Sequence, residues 1–174
     1  MSLYIMVDFN NETKQKLYEK QLILKQNCSG KFENFSAFHI TVSFLSEEIK
    51  MQNEALKAMQ SLDKLKYKKF QIFAKDFKNF EGGIYWVGVH NCLELYKIKY
   101  DIEKFLKQEN FNISPSKFTG YTPHITMGYN VEELKEFNKT FKEIPIIIDN
   151  ICLWHSRKVN DEYIQECLYR INLK

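Results

Sequence analysis

Apolar and polar residues alternate with period two in two short stretches whose residue types nearly match. In 38–44, Phe38, Ile40, Val42 and Phe44 take one side, and His39, Thr41 and Ser43 take the other. In 123–129, Ile125, Met127 and Tyr129 are apolar, while His124, Thr126 and Gly128 share the opposite side. Period two predicts half-buried strands. Each strand then presents one imidazole and one hydroxyl, two positions apart, on its polar face.

The remaining pattern places elements around these two strands. Leu3–Val7 is a short apolar run and predicts a central strand. Asn10 or Asn11 can cap a helix over about 12–26, whose inner face is Leu17, Tyr18, Gln21 and Leu24. Residues 27–31, with Gly30, read as a turn. Ser46, followed by Glu47 and Glu48, is a candidate cap for a helix carrying Ile49, Leu56 and Met59 inward. A strand follows from about Lys68, and Gly82-Gly83 turns the chain into a doubly buried strand, 84–89.

Leu95, Ile98, Ile102 and Phe105 mark the clearest helix, 93–108. A loop over 110–122 leads to the second histidine strand. Asn130 with Glu133 resembles a capping box and predicts a helix to about Lys142. A single strand is expected over 146–154 after Pro145, then a polar turn over 156–162 and a last strand over 163–171.

In this order, strand, helix, histidine strand, helix and strand occur twice, with one strand added. The histidines lie 85 residues apart, and Leu3 and Ile84 lie 81 apart. Such spacing predicts an internal duplication: an α+β fold, one domain over 1–174, with sequence halves of about 1–80 and 81–174 and antiparallel-rich sheets around a central cleft.

Composition adds limits. A chain of 174 residues can hide roughly 70% of its unfolded surface. Its 14 Phe and 10 Tyr argue for a packed globule. A net charge of +3 permits a phosphate-bearing ligand, but no long basic run demands nucleic acid. Cys28, Cys92, Cys152 and Cys167 are widely spaced, which predicts reduced, mostly buried thiols and neither a zinc knuckle nor a redox pair. The first apolar run is too short for a signal peptide and no window reaches membrane-span length, so a cytosolic monomer is expected.

Acid–base hydrolysis takes a base to activate water and an acid to protonate the leaving group. Two imidazoles can supply both near neutral pH. Thr41 and Thr126 can donate hydrogen bonds to charged oxygens of a substrate. This chemistry calls for no metal and no cofactor. One H-x-T alone carries little information. Two in matched apolar frames, using two of four histidines, make His39 and His124 the candidate catalytic pair.

Together the motifs resemble the two-histidine (2H) phosphoesterase superfamily, in particular the bacterial RNA 2′,3′-cyclic phosphodiesterases, or LigT-like 2′-5′ RNA ligases. The resemblance rests on Leu3–Phe9, His39–Leu45, Trp86–Val89, Thr122–Gly128 and the run from Leu153 through Ser156 to Tyr163, and so spans most of the chain. It implies a bilobal LigT-like fold. It further implies metal-independent hydrolysis of RNA 2′,3′-cyclic phosphate ends or a small cyclic nucleotide, together with 2′-5′ RNA ligase activity. The arginine that often follows the second motif is replaced here by Tyr129-Asn130, and Lys31 is the one basic residue shortly before the first motif. Other branches of the superfamily act on cyclic nucleotides, ADP-ribose cyclic phosphates or 2′-5′ oligoadenylates.

Three further residues are candidate substrate contacts. Tyr121 either lines the cleft or is an ordinary core aromatic. His155 and Arg157, beside Trp154 and Lys158, either stack a base and hold a phosphate or form a solvated turn anchored by the tryptophan. His90 is expected at the surface or in a cap. Two other functions compete with the enzyme: a non-catalytic RNA or nucleotide binder using the same cleft, and a zinc hydrolase, for which no H-x-x-x-H pair or carboxylate cluster is present.

Overall fold

A computed structural model describes residues 2–46, 52–111, 120–159 and 162–174. The elements are β1 (Ser2–Asp8), α1 (Asn11–Asn27), β2 (Cys28–Phe32), β3 (His39–Ser46), α2 (Gln52–Asp63), β4 (Phe70–Phe80), β5 (Ile84–His90), α3 (Leu93–Gln108), β6 (His124–Glu133), β7 (Ile144–Ile148), β8 (Asn150–Val159) and β9 (Glu162–Asn172). The fold is α+β, as expected. One sheet has the order β3-β1-β8-β9 and the other β2-β6-β5-β4-β7, with every pairing antiparallel.

The duplication is visible in the central pairs. β1 carries β3 beside it as β5 carries β6. The outer strands are exchanged, however. β1 takes β8 from the C-terminal half of the sequence, and β5 takes β4 from the N-terminal half. Neither sheet is confined to one sequence half. Leu3, Ile5, Val7, Ile40, Val42, Ile125, Met127, Ile151 and Leu153 belong to one continuous core with the buried faces of all three helices. Each such side chain contributes about 1.5–3 kcal/mol by leaving water.

Asn10 is the cap of α1, its Oδ1 accepting the Thr13 N–H at 2.9 Å. The expected start of the second helix at Ser46–Glu48 lies outside the described residues from 47 onward, and α2 is described from Gln52. Most of the 110–122 loop is likewise outside them. Among the described residues no helix is long and apolar enough to cross a membrane.

Four expectations are corrected. Residues 28–32 form edge strand β2 rather than a turn. Gly30, at φ +142°, lets it pass so close to β6 that a Cβ would stand 2.7 Å from the Asn130 carbonyl. No helix follows Asn130, because β6 continues to Glu133. The groups a helix would have used go elsewhere: the Val131 N–H to Gly83 O, the Leu134 N–H to Asn27 O, and the Glu133 carboxylate to the Tyr85 hydroxyl and Lys139.

The expected strand 146–154 is two strands in different sheets. β7 is an edge strand, which tolerates Pro145, and the chain changes sheet at Asp149. The polar turn after Ser156 is shorter than expected, since β8 runs to Val159 and β9 begins at Glu162.

Candidate active site

The two histidine strands are placed by the same register. Asp8 and Met6 of β1 stand opposite His39 and Thr41, and Gly88 and Trp86 of β5 stand opposite His124 and Thr126. One residue after each threonine the ladder slips. Ile5 pairs with Ser43 although Met6 pairs with Thr41, so Val42 is bulged. Tyr85 pairs with Gly128 although Trp86 pairs with Thr126, so Met127 is bulged. A bulge reverses the inside–outside alternation beyond it.

Ser43, expected on the polar face, is therefore 3% exposed. Phe44 and Tyr129, expected in the core, turn out onto the histidine face at 47% and 39% exposure. The bulged Met127 carbonyl is held by the Glu33 N–H at 2.9 Å and by Nε2 of fully buried Gln21 at 2.8 Å; the same Nε2 also reaches Glu33 O at 2.8 Å.

Each imidazole is held in the same way. Nδ1 of His39 lies 2.7 Å from Ala37 O, and Nδ1 of His124 lies 2.7 Å from Thr122 O. A carbonyl only accepts, so Nδ1 carries the proton and Nε2 keeps its lone pair in the neutral ring. The Thr41 hydroxyl lies 3.1 Å from His39 Nε2.

Burial holds both imidazoles below their ordinary pKa, because the charged form loses water. The hydrogen-bonded carbonyls oppose this in both. For His39 alone, Glu33 and Asp8 also oppose it, and the charge of His124 adds to it. β3 and β6 are in contact, and His39 feels the charge of His124 across them.

Aromatic side chains line both halves of the site. Phe80 stacks on Trp86 with centroids 4.7 Å apart, and both meet the His124 ring edge-on, at 5.2 and 5.5 Å. Lys78 Nζ lies over the Trp86 ring, 5.4 Å from its centroid. Tyr4 lies 6.0 Å from the His39 ring. The Tyr129 hydroxyl feels the negative charge of the Glu33 carboxylate. Its pKa is pushed up to about 12, by burial first and then by Glu33.

The structure brings His39, Thr41, His124, Thr126 and Tyr121 together. Tyr121 donates its hydroxyl to the Thr41 carbonyl at 3.2 Å, tying the second motif's approach to the first motif's strand. It does not bring His155 or Arg157 to the histidine face. His155 pairs with Leu3, whereas its neighbour Trp154 pairs with Tyr4, so His155 turns toward the core and Trp154 toward the histidine side. Arg157, two residues on, shares the parity of His155 and is exposed.

Glu33, Phe44, Lys78, Phe80 and Trp86 were not singled out by sequence reasoning, and Tyr129 was noted only as a departure from the family motif. The common position of Phe44 and Tyr129, five residues after each histidine, was a signal that could have found that pair. Among the described residues, no group of three or more His, Cys, Asp or Glu side chains could hold a metal ion.

Neither a protein-family profile nor any curated protein matches the sequence. Solved structures do match the fold. LigT of E. coli in complex with 3′-AMP superposes with a TM-score of 0.77 at 14% identity, covering 99% of this chain and 96% of that one. A protein of Thermus thermophilus superposes with a TM-score of 0.79 at 15% identity, covering 99% and 98%. The MHV ns2 PDE domain gives a TM-score of 0.55 at 15% identity, covering 97% and 92%. The chain has the LigT-like fold of the 2H phosphoesterases.

Proposed function

We propose that this chain is a 2H phosphoesterase that opens 2′,3′-cyclic phosphate ends of RNA, or a related small cyclic phosphate, by acid–base chemistry with no step through a metal. The observation that carries the reading is the doubled dyad: two His–Thr pairs in equivalent registers, each Nε2 left as the acceptor of its neutral ring by an Nδ1–carbonyl bond. One Nε2 takes a proton from the attacking water while the other imidazolium gives one to the departing ribose oxygen. Thr41 and Thr126 donate to the non-bridging oxygens as charge grows there. With a 5′-hydroxyl in place of water as the nucleophile, the same ring opening, with the 3′ oxygen departing, joins a 2′-5′ linkage.

Nucleotides fit the aromatic walls, and the matched E. coli LigT fold is known in complexes with 3′-AMP, ATP, NADP+ and phosphate. The test is phosphorus NMR of the pure protein with cyclic-ended RNA, 2′,3′-cyclic mononucleotides, 2′-5′ oligomers and an ADP-ribose cyclic phosphate. At least one cyclic substrate should convert to a monoester, with EDTA present. Binding without turnover across the whole panel would favour a non-catalytic nucleotide module and overturn the reading.

A further inference from the structure

The two dyads leave one requirement of the reaction without a residue. A cyclic diester carries one negative charge, and attack by water builds more on its non-bridging oxygens. Two threonine hydroxyls are neutral donors, and two imidazoles that exchange one proton add only a single shared positive charge. A fixed cation facing the phosphorus would lower the barrier further.

Lys78 lies on the His124 side of the site. It lies in register with Trp86, which is in register with Thr126, so the three form one row across β4, β5 and β6. Its side chain leans from that row onto the next, the row of Gly88 and His124. A Cβ on Gly88 would meet Lys78 Cε at 3.5 Å and Nζ at 3.7 Å. The missing side chain of Gly88 is the space the lysine occupies.

Three further observations bear on this lysine. Among the described residues Lys78 has no carboxylate within 4 Å, as is also true of Lys25 and Lys31, so its charge is not offset by an ion pair. The indole N–H of Trp86, 6% exposed, has no hydrogen-bond partner. On the His39 side, the place equivalent to Gly88 is Asp8, an anion bound to Lys14 at 2.8 Å and Arg170 at 3.4 Å. The place that Lys78 fills beside His124 is thus held beside His39 by a carboxylate already engaged by two cations.

The geometry points to Lys78 as the cation that holds the reacting phosphate on the His124 side of the site. This rests on the phosphoesterase reading, and it adds an asymmetry to an otherwise duplicated centre: the phosphate's charged oxygens lie toward β4 and β5.

The experiment compares wild type with Lys78→Met and Lys78→Arg on a 2′,3′-cyclic nucleotide, and titrates all three with inorganic phosphate. Lys78→Met should lower kcat/KM about 10²-fold, with most of the loss in kcat, as for one oxyanion donor. It should also weaken phosphate at least tenfold. Lys78→Arg should recover most of both, and the Tm of both variants should stay near wild type.

Wild-type kcat/KM and phosphate affinity in Lys78→Met would overturn the assignment. So would an arginine variant as impaired as the methionine one, since the side chain would then act by shape and not by charge. If wild type turns over no cyclic phosphate but binds inorganic phosphate through Lys78, the reaction fails and the anion site stands.

Discussion

Phe44 and Tyr129 are equivalent residues. Each lies five positions after its histidine, and each is turned from the core side to the histidine side by a bulge one residue after the threonine. Strict alternation would have buried both. The bulges instead put an aromatic ring beside each dyad and send the small residues Ser43 and Gly128 inward. At Gly128 a Cβ would stand 2.9 Å from Val131 and 3.0 Å from the Lys31 carbonyl.

Two exposed rings beside the two His–Thr pairs suit a nucleobase. Phe44→Ala and Tyr129→Ala should each raise KM for a cyclic nucleotide by an amount matching about 1–3 kcal/mol of lost stacking, with kcat less affected. Steady-state kinetics check this. Unchanged KM in both variants would remove these rings from the binding surface.

Gln21 supports the second bulge from behind. Gln21→Leu keeps the volume roughly but leaves Glu33 O, and part of the demand of Met127 O, without a donor in a buried place. The cost should be about 1–3 kcal/mol. In a chain of this size that is a Tm loss of very roughly 2–10 °C. Calorimetry measures it, and a variant as stable as wild type would show that the bulge does not need this support.

The sequence made the two H-x-T strands, the pairing partners of His39 and His124 as central strands, and the helix 93–108 legible, because each has a clean period. It did not make the bulges legible. A bulge depends on which carbonyls a distant Gln21 and Glu33 satisfy, and no local period encodes that. The helix expected after Asn130 failed for a similar reason. Asn130 and Glu133 are weak strand formers, but Gly83, Asn27 and Tyr85 claim the hydrogen bonds that a helix there would have used. His155 was misplaced because a turn was expected where β8 continues, so its parity relative to Leu3 could not be read.

Burial lowers the pKa of both histidines, and this fixes the sign of two pH effects. A folded-state pKa below the unfolded value means that the unfolded chain binds more protons as pH falls below about 6.5. Stability from this source is intact above that pH and is lost as pH falls through the folded pKa values. His39→Gln should therefore gain in Tm relative to wild type as pH drops from 7.5 to 5. A Tm difference, variant minus wild type, that stays constant or falls as pH drops would contradict the shift.

The same shift acts on catalysis. kcat/KM reports the free enzyme, whose imidazolium form is scarce above the lowered pKa values, so its maximum should fall below pH 6.5. The maximum of kcat should lie higher, because bound phosphate favours the imidazolium. The limbs belong to the pair and not to either ring. A kcat/KM optimum near pH 8 would rule this out.

The most direct measurement is the rate of 2′,3′-cyclic nucleotide hydrolysis by wild type, His39→Ala, His124→Ala and the double variant. If the two imidazoles work as one acid–base unit, either single change should remove most of the activity, on the order of 10²–10⁴-fold, and the double variant should be little worse than a single one. A His124→Ala enzyme turning over near the wild-type rate, or single losses that simply multiply in the double variant, would contradict a shared site.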